Sequence, residues 1–305
     1  MGMKFKKQGL IYCPSGELGW NKRFFMTPTP VRLNEDIIRI YGGMRDESGA
    51  SRIGYIDVGA ENPSKVLKIS NKPCLDLGKP GTFDDNGVIL GSLIMEDNHI
   101  KMYYVGFQLV SKVKFLAFSG LAISEDGGDT FRRYSDSPIF DRRSDEIYIR
   151  AIHSVIKEEN GYRIWYSYGN AWQLINNISY PVYKIRTVNS VDGIHPNLDT
   201  QKDCIDVQED EYRIGRPTVF KEDGLYKMFY TRDTLSKIYS PGIGISNDGF
   251  NWQRTDFDFD FKPSPNGWDS QMVCYPILIK GKKEEYLIYS GNNMGESGVG
   301  YAIRE

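Results

Sequence analysis

Apolar segments ending in tyrosine recur along the chain at near-constant spacing. They are residues 37–41 (IIRIY), 100–104 (IKMYY), 162–166 (YRIWY), 226–230 (YKMFY) and 286–289 (YLIY). Their last residues, Tyr41, Tyr104, Tyr166, Tyr230 and Tyr289, stand 63, 62, 64 and 59 positions apart. A fixed period of this size marks one supersecondary unit repeated, each copy needing neighbours to bury its faces. The fourth copy reads most plainly. A short strand at 217–220 leads through Glu222-Asp223-Gly224 into 226–230; a glycine-containing strand follows at 242–246; Asn247-Asp248-Gly249 then turns into a last strand at 252–254. Acidic or amide residues followed by glycine are hairpin-turn chemistry. Four antiparallel strands per copy and five copies predict an all-β, five-bladed β-propeller, with residues 1–305 as one domain.

The other copies repeat the plan, with third strands at 51–55, 120–124 and 298–302 and turns at 125–127 and 191–193. The fifth copy ends at Glu305 without an outer strand. The segment 5–12 (FKKQGLIY) resembles the outer-strand phrase beginning Phe131-Arg132-Arg133. Pairing of the first and last segments in one blade is therefore expected, which closes the ring and covers an edge.

Composition narrows the function classes. A net charge of −2 and a pI near 6.0 give no electrostatic footprint for nucleic acid or an anionic membrane. No stretch approaches the roughly 20 apolar residues that span a bilayer, and the N-terminus lacks a secretory pattern, so a cytoplasmic location is expected. Cys13, Cys74, Cys204 and Cys274 lie far apart, neither a metal pattern nor a dense disulfide framework. No histidine pair has metal-ligand spacing and no phosphate-cradling glycine loop precedes a helix, so neither a metal nor a cofactor is expected. Twenty tyrosines suit stacked sheets and also sugar-binding surfaces.

In a propeller the innermost strands and their entry loops surround the axis, which makes a central pocket the default site. Counting back from the tyrosines anchors the inner strands at Pro30, Gly91, His153, Pro217 and Pro276. Seven residues earlier stand Arg23, Asp84, Glu146, Asp210 and Asp269. Four of these five are acids. A shared acid can cap a turn or accept backbone N–H groups; the alternative is a ring of carboxylates available for acid/base work on a glycosidic bond. Asp84 and Asp85 stand together in one entry loop, and Glu146, Tyr148 and Arg150 alternate along another. Trp268-Asp269 combines a stacking aromatic with polar groups. Arg216 and Tyr275 immediately precede inner-strand prolines, and His153 takes the place of a proline. Arg45-Asp46 lies in a charged turn whose simpler reading is a structural ion pair.

The phrases Ile40-Tyr41-Gly42-Gly43-Met44-Arg45-Asp46, Ala122-Ile123-Ser124-Glu125-Asp126-Gly127 and Arg216-Pro217-Thr218-Val219-Phe220 resemble the five-bladed carbohydrate enzymes. The likeness is to family 43 glycoside hydrolases and the mannoside phosphorylases and hydrolases of family 130. It spans nearly the whole chain and implies the scaffold more than the reaction. Those families place catalytic acids directly before an inner-strand proline, whereas those slots hold Thr29 and Leu90 here. The resemblance implies a carbohydrate substrate and a glycosidase-like enzyme. Asp84 or Asp85 with Glu146 are expected as the acid/base pair. Arg23, Arg45, Asp46, Arg150, His153, Arg216, Trp268, Asp269 and Tyr275 are expected around the substrate. Two alternatives stand beside it: a phosphorylase or glycosyltransferase using phosphate or a nucleotide sugar, and a glycan-binding propeller without catalysis. The sugar, its linkage and the oligomeric state are open.

Overall fold

The structure, a computed structural model, describes residues 2–305; Met1, the start of the N-terminal segment read above, lies outside the described residues. The chain is all-β. Its strands are β1 (Phe5–Tyr12), β2 (Arg23–Arg32), β3 (Ile37–Arg45), β4 (Ser51–Gly59), β5 (Val66–Ile69), β6 (Val88–Glu96), β7 (His99–Gln108), β8 (Leu116–Ser124), β9 (Arg132–Arg133) and β10 (Ile149–Glu158). They continue as β11 (Gly161–Ile175), β12 (Ile178–Ser190), β13 (Pro196–Ile205), β14 (Glu211–Glu222), β15 (Leu225–Thr234), β16 (Tyr239–Ser246), β17 (Gln253–Arg254), β18 (Cys274–Lys280), β19 (Glu285–Ser290) and β20 (Val299–Arg304). Two compact units contain them. The first comprises Met1–Asp76, Val88–Leu90 and Asp256–Glu305; the second comprises Leu77–Gly87 and Gly91–Thr255.

In the first unit one four-stranded sheet runs β2-β3-β4-β5 and another runs β1-β20-β19-β18. β1 is antiparallel to β20, from Phe5 opposite Arg304 to Tyr12 opposite Val299. Its alternating burial is what a half-covered outer strand requires, and the segment therefore supplies the strand that the fifth repeat lacks. Phe25, Ile40, Met44, Ile56, Ile288 and Tyr301 belong to one buried apolar cluster. Burying such side chains stabilises by roughly 1.5–3 kcal/mol each.

The second unit holds the sheet β14-β15-β16-β17 and a larger sheet in which β6–β9 and β10–β13 are joined. The repeat pattern predicts these as separate copies. A short parallel pairing, Ile149 with Ala117 and Arg150 with Phe118, fuses them. Ser119 makes the fusion possible: its Oγ donates to Arg150 O at 2.8 Å and accepts from Ile152 N at 2.7 Å. Serines serve other inner strands similarly. Val155 N donates to Ser92 Oγ at 3.1 Å and Val219 N to Ser154 Oγ at 3.0 Å, satisfying strand-edge amides that would otherwise be orphaned.

Bulges interrupt the inner strands where they leave their entry loops. The register jumps across Thr27-Pro28, Arg216-Pro217 and Tyr275-Pro276, and each residue before the proline has left-handed backbone, φ 50°, 53° and 56°. This corrects the register of the first copy, because Pro28, and not Pro30, matches Pro217 and Pro276. The slot before the proline is thus Thr27 instead of Thr29. His153 is the bulged residue of β10, between Ile152 and Ser154. Bulges turn one side chain away from the ladder and cluster beside functional sites.

Candidate functional site

The recurring acid has one structural occupation in three copies. The Tyr104 hydroxyl donates to Asp84 Oδ2 at 3.0 Å, Tyr166 to Glu146 Oε1 at 2.8 Å, and Tyr289 to Asp269 Oδ2 at 2.9 Å. Each acid lies 20 residues before its tyrosine. A cation completes each group: Arg133 Nε lies 2.7 Å from Asp84, Arg186 Nη1 2.7 Å from Glu146 and Lys7 Nζ 2.7 Å from Asp269. Arg150 pairs with the other oxygen of Glu146. Burial and the adjacent carboxylate raise all three tyrosines far above the ordinary phenol value, so each remains a neutral donor. Gly106 is part of the device, since a Cβ there would meet the Cβ of Asp84 at 2.4 Å.

Asp84 and Glu146 have no exposure, and Asp269 has 3%. Each of Asp84 and Glu146 is thus held by a phenol and a guanidinium away from solvent, and ties an entry loop to its sheet. In the fourth copy the corresponding group is Glu211 instead of Asp210, which is exposed. Arg254 holds Glu211 at 2.7 and 2.8 Å. Burial is the largest single influence and would raise the Glu211 pKa, but the hydrogen bonds from Arg254 and Gln208 N and the charges of Arg254 and Arg232 together hold the carboxyl below its ordinary value.

The other expected residues divide. Asp85 Oδ2 accepts from Gly81 N at 2.8 Å, and its Oδ1 is buried without a hydrogen-bond partner. Asp46 accepts from Ser48 Oγ at 2.6 Å and Ala50 N at 3.1 Å and pairs with Arg52, so the simpler reading of that turn holds for it. Arg150 pairs with Glu146 and donates to Asp141 O at 2.7 Å, while its Nη2 is buried without a hydrogen-bond partner. Trp268 lies on its own sheet, 5.1 Å from the Tyr289 ring, and a Cβ at Gly300 would meet its ring carbon at 2.3 Å. Its partly buried ring sits in a slot floored by Gly291 and Gly300. His153 and Arg216 are brought together: Arg216 Nη1 donates to His153 Nδ1 at 3.2 Å and to Gly91 O at 3.0 Å. Burial first, and then the Arg216 charge, hold His153 well below its usual pKa, so the ring is neutral.

Arg23, Arg45 and Tyr275 meet in the first unit. Arg23 and Arg45 are direct cross-strand partners at the open end of β2 and β3. The Arg45 guanidinium lies 4.3 Å from the Phe24 ring centroid, and its Nε is buried without a hydrogen-bond partner. Burial lowers its pKa, with Tyr275, Arg23 and Glu296 as the ionisable groups acting on it. Arg23 Nη1 lies 3.5 Å from Glu296 Oε1. Glu296 in turn lines a cavity of about 460 Å³ with Gln271, Met272, Asn292, Asn293 and Ser297. That volume lies within the roughly 300–1,000 Å³ of small-molecule sites.

The loop between β19 and β20 builds this cavity. Asn292 Oδ1 accepts from Gln271 N at 2.7 Å and Met272 N at 3.0 Å, and Ser297 Oγ donates to Trp268 O at 2.5 Å. Asn293 and Met294 hold left-handed backbone, φ 52° and 60°. Sequence reasoning missed Asn292, Asn293, Glu296 and Ser297. The available signal was the polar, glycine-rich run 291–298 (GNNMGESG), where the other copies turn between their second and third strands.

No protein-family model matches the chain. Two Mycobacterium tuberculosis proteins, Uncharacterized protein Rv1502 and its counterpart MT1551 from another strain, are each 32% identical over 304 residues, covering 99% of this chain and 100% of their own. The chain belongs to the family of these mycobacterial proteins. Solved structures extend the likeness in fold. A protein described as a glycoside hydrolase superposes with a TM-score of 0.72 at 17% identity, covering 99% of this chain and 91% of its own. A member of the GH130 family, described as containing hydrolases that target β-1,2 mannosidic linkages in Candida mannan, gives 0.67 at 15% identity, covering 99% and 94%. A thermostable family-43 glycoside hydrolase gives 0.68 at 16% identity, covering 92% and 88%. The resemblance expected from the blade phrases is thus to the same two enzyme groups, and at these identities it describes the scaffold.

Proposed function

We propose that the mycobacterial family and this chain are carbohydrate-active, that the five repeats form one five-bladed propeller domain, and that a sugar occupies the cavity lined by Gln271 and Glu296. The observation that carries this reading is the cavity itself. It combines an amide, an accessible carboxylate and an apolar floor from Met272 beside the half-buried Tyr275. A few placed polar groups over apolar surface are what sugar hydroxyls and ring faces require. The Glu296 side chain is 39% exposed; Arg23 pairs with its Oε1 and Asn293 Nδ2 donates to its Oε2, which orients it in the cavity as the group for acid/base work on a glycosidic bond.

Cavity geometry also favours a second reading. Hydrolysis by water ordinarily uses two carboxylates, whereas Glu296 is the one carboxylate lining this cavity among the described residues. That arrangement is compatible with phosphorolysis, where phosphate replaces the activated water, or with glycan binding alone.

A turnover screen of aryl glycosides and short glycans, with and without inorganic phosphate and nucleotide sugars, tests both. Turnover that falls at least 100-fold in Glu296→Gln at unchanged melting temperature supports the enzyme reading. Activity that survives Glu296→Gln but disappears in Asp84→Asn or Glu146→Gln, with the fold intact, returns the chemistry to the buried carboxylates. Binding without turnover on any substrate leaves the glycan-binding reading.

A further inference from the structure

Arg23 and Arg45 form a cross-strand pair of like charges. Directly opposed like charges destabilise a sheet, and other cations of this chain escape that cost by pairing with acids. Arg39 is bound to Asp57 at 2.7 Å, Arg52 to Asp76 at 2.7 Å and Arg213 to Asp233 at 2.6 Å. Arg45 differs. Among the described residues no carboxylate lies within ion-pair distance of it, although its Nε is buried and its guanidinium carbon lies 4.3 Å from the Phe24 ring centroid. Phe24 itself has φ 69°, a left-handed conformation that costs a bulky residue energy and that the neighbouring packing must impose. A desolvated, pre-positioned guanidinium is a receptor for a planar oxyanion.

Local charge sets the kind of anion. Two guanidiniums face the single carboxylate of Glu296, 3.5 Å from Arg23. One positive charge is left over, the complement of a monoanion and not of a doubly charged phosphate.

We propose that Arg45, with Arg23, seats the carboxylate of an acidic sugar, so that the ligand is a uronic acid or a glycan that carries one. This rests on the sugar reading of the adjacent cavity and narrows its substrate class. The sugar ring then lies toward Gln271 and Met272 while the carboxylate meets the guanidiniums of Arg45 and Arg23. Binding weakens as salt rises, because the contact is charged.

The test is calorimetric titration of the full chain with tri-galacturonate and with the methyl glycosides of glucuronate and mannuronate. Each is compared with its neutral methyl ester. At least one acid is expected to bind 10-fold or more tightly than its ester. Arg45→Gln should erase that difference, and Arg45→Lys should recover part of it. Arg23→Gln, at a half-exposed position, should cost several-fold and serves if Arg45→Gln lowers the melting temperature. Equal binding of acid and ester, unaffected at Arg45, overturns the anion seat and leaves the sugar reading standing. Tighter binding of galactose 6-phosphate than of any uronate overturns the monoanion argument. If no sugar binds but acetate or inorganic phosphate protects wild type and not Arg45→Gln, the sugar reading fails while an anion seat remains. Silence of every probe overturns both.

Discussion

The first and second repeats solve the same problem with different residues. In the second, Tyr104 is tied to an entry-loop acid, Asp84, with Arg133 on β9 as the counter-cation. In the first, the cation is Arg39 on β3, 5.9 Å from the Tyr41 ring centroid and 3.7 Å from that of Tyr55, and its acid is Asp57 on the neighbouring strand. The work is done inside the sheet, so the entry position need not carry an acid. By the corrected register Asn21 stands there instead, buried, with its Nδ2 donating to the Tyr12 hydroxyl at 3.3 Å; Arg23, two residues on, is half exposed. Where the acid is kept, conformity to the repeat marks scaffold.

The largest expected effect comes from breaking the second-repeat arrangement. Arg133→Met leaves Asp84 buried with only neutral donors and should cost about 3–5 kcal/mol, the usual penalty for orphaning a buried charge. Urea unfolding measures it, and a loss below 1 kcal/mol would mean that Asp84 is not held by charge. Next, Tyr104→Phe, Tyr166→Phe and Tyr289→Phe each remove one hydrogen bond to a buried carboxylate, at about 1.5–3 kcal/mol. Three similar losses sharpen the idea of one repeated device, whereas a loss confined to one tyrosine breaks it.

The smallest effect is a pH dependence in the fourth repeat. The Glu211 carboxyl is held below its ordinary 4.5. A depressed acid contributes stability that is present above the unfolded value and is lost as pH falls through the folded one. Wild-type urea midpoints should therefore fall as the solution is acidified below about pH 4.5. Arg254→Met, already weaker at neutral pH, should fall less steeply over that window. Parallel slopes would remove Glu211 from the account.

The sheets were legible because periodicity reports burial directly: strands 37–41, 100–104 and 226–230 all lie within β3, β7 and β15. The third repeat was read too short, since β11 and β12 continue to a tight turn at Asn176-Asn177, φ 50° and 62°, where the pattern is mixed. The shared acid position was legible too, but its occupation was not. Whether a carboxylate faces a cavity or a tyrosine 20 residues later depends on how far an entry loop folds back, which no spacing encodes. Pro28 was passed over for Pro30 because two prolines stand two apart, and only the bulge at Thr27 distinguishes them. The cavity loop escaped notice because its residues act through backbone geometry and long-range contacts, such as Asn292 with Gln271, 21 positions away.

The pairing of β1 with β20 has a consequence for biogenesis. Residues 5–12 are made well before their partners at 299–304, nearly 300 positions later in the chain. Throughout synthesis this half-apolar segment has no strand to join, and Asp269, once made, lacks Lys7 until the N-terminus returns. Contacts of such sequence separation carry a large loop-closure entropy and form slowly. Closing β1 onto β20 is therefore expected among the slow steps of folding, so segment 5–12 reports whether the sheet it joins has been completed.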